Sequence, residues 1–122
     1  MGKDYKKEIY DKLRIAYAKL LVAENARKRK NSRIMRTLYL SAIVGNVFVT
    51  PEFMANIYFS SSISDIKKIK KRIRKILGKP SISAEDKFLL EELDQILRVD
   101  KDMRIGDLKL IISEAMKVLG AV

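Results

Sequence analysis

Apolar residues recur every three or four positions along most of the chain, which is the spacing of amphipathic α-helices. A first helix is predicted over roughly residues 3–28, with one face formed by Tyr5, Ile9, Leu13, Ala16, Tyr17 and Leu20. Ser32 is a suitable cap for a second helix, whose inward residues are Met35, Leu38, Tyr39, Ala42 and Ile43. Gly45 and Asn46 are suited to end that helix, and residues 47–49 are expected to form an extended linker.

The middle of the chain contains a strong signal for the start of a helix. Thr50, Pro51 and Glu52 supply a capping hydroxyl, a proline for the first helical position and an acid for the first turn. The short third helix carries Phe53, Met54, Ile57 and Tyr58. We expect residues 60–62, which are three serines, to break this helix, and a fourth helix to run from near Ser64 to Gly78.

Two further helices are predicted in the C-terminal third. Ser83 begins a capping-box-like sequence before a fifth helix that bears Leu89, Leu90, Leu93, Ile96 and Leu97. Asp107 is expected to cap a last helix, which bears Leu108, Ile111, Ile112, Ala115 and Leu119 and ends at Gly120. The predicted fold is therefore all-α: a compact bundle of five to six helices in a single domain spanning residues 1–122.

Composition excludes several kinds of chemistry. The 122 residues include no cysteine, histidine or tryptophan, so a thiolate nucleophile, a catalytic histidine and a cysteine or histidine zinc site are impossible. The acidic residues match no calcium-loop spacing, and no glycine-rich phosphate loop is present. We expect a non-enzymatic protein that needs no metal or cofactor. No targeting signal or spanning segment is apparent, and the sequence predicts a soluble, cytoplasmic protein.

The net charge of +11 is concentrated in two blocks. Residues 65–79 contain eight basic residues and one acidic residue, and their isoleucines recur at helical spacing, which separates an apolar arc from a basic arc. Such a run of like charges is typical of a site for a polyanion, although a solvated surface is the simpler interpretation. The candidate phosphate-binding residues in this block are Lys67, Lys68, Lys70, Lys71, Arg72, Arg74 and Lys75.

The second basic block lies at the junction of the first two predicted helices. It contains Arg27, Lys28, Arg29, Lys30, Arg33 and Arg36. These cations could contact phosphates, or could serve as a solubilising connector that complements the C-terminal dipole of the first helix. The sequence leaves both interpretations open.

The order of elements from Thr50 to Leu77 has the form of a short helix, a serine turn and a basic helix. This segment resembles the helix-turn-helix units of bacterial repressors and the cyclin-type repeats of archaeal transcription factor B. The resemblance places Ala55 at the small position of the first helix and Ile63 or Ile66 at the buried positions of the second, whereas Tyr58 and Phe59 depart from the pattern. It implies that the basic helix would contact DNA.

These observations favour a nucleic-acid-binding protein that contacts backbone phosphates through two basic blocks, with DNA slightly preferred over RNA. The nine tyrosines and phenylalanines lie mostly on apolar helical faces, and we expect them to pack in the core. The alternative function is a small protein-interaction module, such as an adaptor, inhibitor or immunity-type protein, that uses an apolar groove or the acidic fifth helix. A protein partner in a nucleoprotein assembly is compatible with the first function. Membrane binding is disfavoured because the basic helix lacks aromatic anchors.

Overall fold

The computed structural model describes residues 4–28, 51–100 and 102–120, and these residues form four α-helices and no strand. The helices are α1 (Asp4–Lys28), α2 (Pro51–Leu77), α3 (Ala84–Ile96) and α4 (Ile105–Gly120). The all-α prediction is confirmed. The predicted helix that starts at Ser32 and the predicted linker at residues 47–49 lie outside the described residues.

The expected helix count is not matched, because the predicted third and fourth helices are one continuous helix, α2. The expectation of a break at the three serines is wrong, and the helix-turn-helix unit inferred from that break falls with it. Ser62 is fully buried, and its hydroxyl donates a hydrogen bond of 2.9 Å to the carbonyl oxygen of Ala16 in α1. The Ser61 hydroxyl accepts a hydrogen bond of 2.8 Å from the Lys19 ammonium. These serines therefore form hydrogen bonds between α1 and α2 and do not end a helix.

Contacts between neighbouring helices define an up–down–up–down arrangement. Glu8 at the start of α1 contacts Arg72 near the end of α2, whereas Lys19 contacts Asp65, so α1 and α2 are antiparallel. Helix α3 runs back along α2, with Asp94 beside Arg74. The principal interfaces join α1 to α2 and α4, and α3 to α2 and α4, with the α1–α2 interface the largest. Each helix thus occupies a corner of a four-membered ring.

The core consists of the apolar faces predicted from the periodicity. Ile66, Ile69, Ile73 and Ile76 on α2 are all buried, which confirms the isoleucine stripe. The other helices contribute buried residues at the predicted spacing, namely Tyr5, Ile9, Leu13, Ala16 and Leu20 from α1, Leu89, Leu90 and Leu93 from α3, and Leu108, Ile112, Ala115 and Leu119 from α4. Tyr17, Leu77, Ile96 and Ile111 lie at the edges of these faces and are half-buried.

The ends of α3 and α4 show how closely capping can be predicted. The Ser83 hydroxyl accepts a hydrogen bond of 3.1 Å from the backbone N–H of Asp86, which confirms the predicted cap of α3. Asp107 was expected to cap α4 from outside, but the helix begins at Ile105, three residues earlier than that cap implies, and Asp107 lies within its first turn. The Asp107 carboxylate accepts a hydrogen bond from the backbone N–H of Arg104, so it reaches back to the start of the helix as the third residue of a capping box does.

Two phenylalanines contradict the expectation that the aromatic residues pack in the core. Phe88 on α3 is 73% exposed and Phe53 on α2 is 49% exposed. Both positions fall on the outer side of their helix, opposite the buried stripe. Within the described residues, no helix is long and apolar enough to cross a membrane.

Candidate polyanion-binding surface

The outer side of α2 carries the larger basic block. Because the isoleucines of the buried stripe are spaced by three and four residues, the cations between them are directed away from the core. Lys67, Lys68, Lys71, Arg74 and Lys75 are exposed, and Lys70 and Arg72 are half-buried. All seven predicted residues of this block therefore lie on one helix and reach solvent.

Two cations of the block have acidic neighbours. Arg72 lies 3.6 Å from the Glu8 carboxylate, and Arg74 lies 3.7 Å from the Asp94 carboxylate. Hydrogen bonding from Lys12, together with the positive charges of Arg72 and Lys12, lowers the pKa of Glu8 and keeps it ionised. Within the described part of the chain, the remaining five cations form no ion pair. We call these five residues the unpaired lysines of α2: Lys67, Lys68, Lys70, Lys71 and Lys75.

A shallow groove of about 390 Å³ runs along one flank of this surface. It lies between α2 and Val99, which follows α3, and its basic lining consists of Lys67, Lys70, Lys71 and Arg74. These positions follow the i, i+3, i+4, i+7 spacing of a single helical ridge, about 10 Å long. Four cations thus line one concave surface.

The opposite flank of α2 faces α1. Lys68 borders a smaller groove there with Lys12, Ile15, Lys19 and Asp65. The Lys19 ammonium lies 2.7 Å from the Asp65 carboxylate, and Lys12 lies 3.1 Å from Glu8. The α1 lysines on this side are therefore neutralised by acidic residues, whereas Lys68 is not.

The second basic block is only partly described. Arg27 and Lys28 end α1 and are exposed, while Arg29, Lys30, Arg33 and Arg36 lie outside the described residues. The Arg27 guanidinium is 5.7 Å from the centre of the Phe59 ring, so it lies level with the first third of α2. Phe59 precedes Lys67 by eight residues, which is about 12 Å along the helix axis. The described cations of the two blocks therefore follow one another along the α1–α2 pair.

Helix α3 is the predicted acidic fifth helix, which the alternative function uses as a protein-interaction surface. Phe88 is the most exposed large apolar residue described, and it lies in a groove of about 590 Å³ bordered by Glu85, Glu92, Leu89 and Val118. The spacing from Phe88 to Glu85 and Glu92, three and four residues, signals that they share a face. The exposure of Phe88 could not be predicted from the sequence, because a phenylalanine in an amphipathic helix normally packs in the core.

The described residues contain no group of three or more acidic side chains placed to hold a metal ion. Comparison of the chain with protein-family models, curated protein sequences and solved structures finds no significant match. The function is therefore inferred from the geometry and charge of these surfaces.

Proposed function

We propose that this protein is a non-enzymatic nucleic-acid-binding protein that contacts backbone phosphates through the outer face of α2, with DNA preferred over RNA. The observation that carries the proposal is the set of five unpaired lysines on one helix. Natural protein surfaces usually interleave cations with acids, whereas no acidic residue occurs between Lys67 and Lys79. A surface of this kind is suited to bind a polyanion, whose negative charges pair with the lysines.

Electrostatics within α2 support the same conclusion. Lys67 and Lys71 are four residues apart, as are Lys71 and Lys75, so neighbouring turns place like charges together. Each such pair destabilises a helix by a few tenths of a kcal/mol, and a bound polyanion relieves the repulsion. The ridge from Lys67 to Arg74 has four cations in about 10 Å, or one per about 3 Å, which is close to the spacing of one phosphate per about 3.4 Å along a single strand of B-form DNA.

The described cations of the second basic block extend the proposed surface along the molecule. Arg27 and Lys28 lie beyond the N-terminal side of the lysine ridge and are exposed. We include Arg29, Lys30, Arg33 and Arg36 in the proposed phosphate-binding set because they continue the same basic run. A ligand that follows the α1–α2 pair would contact Arg27 and Lys28 and then the lysines of α2 in succession.

Salt-dependent binding of a labelled DNA duplex, measured by fluorescence anisotropy, tests the proposal. Each phosphate contact contributes about −0.9 to the slope of log affinity against log salt concentration. Replacing four of the unpaired lysines by alanine should reduce the magnitude of that slope by about 3–4 if each lysine contacts one phosphate. The residues to replace are Lys67, Lys68, Lys71 and Lys75, all of which are exposed.

A matched variant controls for the loss of net charge. Four exposed cations outside α2 are replaced by alanine, so that both variants lose the same charge. They are Lys7, Lys87, Arg104 and Lys117. This control should bind with nearly the wild-type slope. Equal slopes in the two variants would show that only net charge matters, and absence of wild-type binding to DNA and RNA at low salt would overturn the proposal.

The exposed Phe88 supports a second candidate function, a protein-interaction module. Its ring is flanked on α3 by Glu85 and Glu92, and the same groove is lined by the apolar residues Leu89 and Val118 and by Lys6 of α1. Exposed aromatic residues are enriched where proteins bind one another. A photo-crosslinking amino acid at position 88 tests this function, and a specific crosslinked protein that is lost with Glu92→Lys would support it.

A further inference from the structure

The cations of α2 are divided between two flanks of one exposed face. Lys67, Lys70 and Arg74 border the groove beside Val99, on the α3 side of the helix. Lys68 borders the groove beside Lys12, on the α1 side. Lys75 follows Lys68 by seven residues, two helical turns further along the same side. The exposed face between these flanks therefore has positive charge along both edges.

The dimensions of α2 match a duplex groove. An α-helix with its side chains is about 10–12 Å across, and the major groove of B-form DNA is about 12 Å wide and bordered by phosphates of both strands. The unbroken helix of 27 residues is about 40 Å long, and its position at a corner of the bundle leaves its outer side exposed. A helix interrupted at the serines would not offer this length.

We propose that α2 enters the major groove of B-form DNA, where its two cationic flanks contact the phosphates of opposite strands. This inference depends on the proposed function and specifies its substrate as a DNA duplex. Ser60 and Ser64 lie on the exposed side of α2 in line with Lys67 and Lys71. A serine hydroxyl accepts or donates and so discriminates weakly among bases, which makes low sequence specificity the expected result.

The same arrangement disfavours other nucleic acids. The major groove of A-form RNA is deep and too narrow for side chains to read, so α2 could not enter it. Proteins that bind single strands stack bases on exposed aromatic rings. The half-exposed ring of α2, Phe53, precedes Lys67 by 14 residues, which is about 21 Å along the helix axis. Residues 60–87 contain no aromatic residue, so the cationic segment itself offers no such platform.

Duplexes modified in one groove test this inference. A 20-base-pair DNA with bulky substituents on C5 of its pyrimidines has a blocked major groove, because C5 faces that groove. A second duplex with bulky substituents on N2 of guanine has a blocked minor groove and the same phosphate charge. Blocking the major groove should weaken binding by about tenfold or more, and blocking the minor groove by less than about twofold.

The remaining outcomes separate this inference from the proposed function. Equal binding to the two blocked duplexes, or equal binding to a single strand or an RNA duplex of the same length, would overturn major-groove entry while leaving phosphate binding intact. Failure of every nucleic acid to bind at low salt would overturn both. Replacing Lys68 and Lys75 by alanine should reduce the magnitude of the salt slope by about 1.8. Replacing Lys67 and Lys70 by alanine should reduce it by the same amount, because each flank contacts the phosphates of one strand.

Discussion

The Ser62 hydroxyl donates a hydrogen bond to the Ala16 carbonyl across the interface of α1 and α2, with an oxygen–oxygen distance of 2.9 Å. Both residues are completely buried, and both are small. The contact lies at a point where a bulky side chain would hold the two helices apart. It also explains why a serine in the middle of α2 belongs to the core.

Substitutions at Ser62 should distinguish the hydrogen bond from the need for a small side chain. Ser62→Ala should lower the free energy of unfolding by about 0.5–1.5 kcal/mol, because one net hydrogen bond is lost. Ser62→Leu should cost more, because overpacking adds about 1–3 kcal/mol of strain. Urea denaturation measures both values, and a Leu variant as stable as the Ala variant would contradict the close packing of α1 against α2.

Proline at Ser60 tests the continuity of α2. Ser60 is exposed and lies within the helix, where proline removes a backbone hydrogen bond and clashes with the preceding turn. Ser60→Pro should therefore destabilise the protein by about 3 kcal/mol. Ser60→Ala is the matched control and should be neutral or slightly stabilising, since alanine favours helices. Tolerance of the proline in thermal denaturation would indicate a turn at the serines.

The isoleucine stripe should dominate the stability of α2. Ile69 and Ile73 are buried, so alanine at either position should lower the free energy of unfolding by about 2–5 kcal/mol. Leu110 on α4 is 63% exposed, and Leu110→Ala should change the free energy of unfolding by less than about 0.5 kcal/mol. Similar losses in the core and control variants, measured by urea denaturation, would contradict the burial of the stripe.

Tyr5 links the start of α1 to the first turn of α3, because its hydroxyl donates a hydrogen bond of 2.8 Å to the Asp86 carboxylate. Burial, followed by the hydrogen bond and the negative charge of Asp86, raises the pKa of Tyr5 well above its usual value near 10. The folded state thus favours the protonated phenol. Its contribution to stability is fully present below about pH 10 and is lost as the pH rises toward the folded-state pKa.

Comparison with Tyr5→Phe isolates this contribution. At neutral pH the variant should be less stable than the wild type by about 1–2 kcal/mol, since a partly buried hydrogen bond to a carboxylate is lost. The difference should shrink above about pH 10, where the wild-type phenol ionises on unfolding. Lysine titration affects both proteins and cancels in the difference. A difference that stays constant up to pH 11 would show that the Tyr5 pKa is not raised.

Much of the fold follows from local patterns in the sequence. The spacing of Ile66, Ile69 and Ile73 predicts both the helix and its buried face, because a helix with cations on its other sides has only one face to bury. The first helix and the cap at Ser83 were predicted for similar reasons. The seven cations of residues 67–75 also reach solvent as expected. Capping and amphipathic periodicity are local properties, so a single sequence is sufficient to reveal them.

Other features required the tertiary structure. A serine favours a turn when considered alone, yet Ser62 continues the spacing of three and four residues that runs from Ala55 through Phe59 to Ile66. This continuity predicts a buried position, but only the approach of Ala16 supplies the partner that makes burial of a hydroxyl favourable.

The charges show the same division between local and tertiary information. The sequence by itself determined that a basic block would cover one side of a helix. Only the packing decided that Glu8 and Asp94 would lie beside Arg72 and Arg74, and that five lysines would form no ion pair within the described residues. Ion pairing depends on distances between residues far apart in the chain. Phe88 is exposed because none of the four described helices covers that side of α3. Periodicity encodes which side of a helix is apolar, whereas the neighbours of each side are decided when the helices pack.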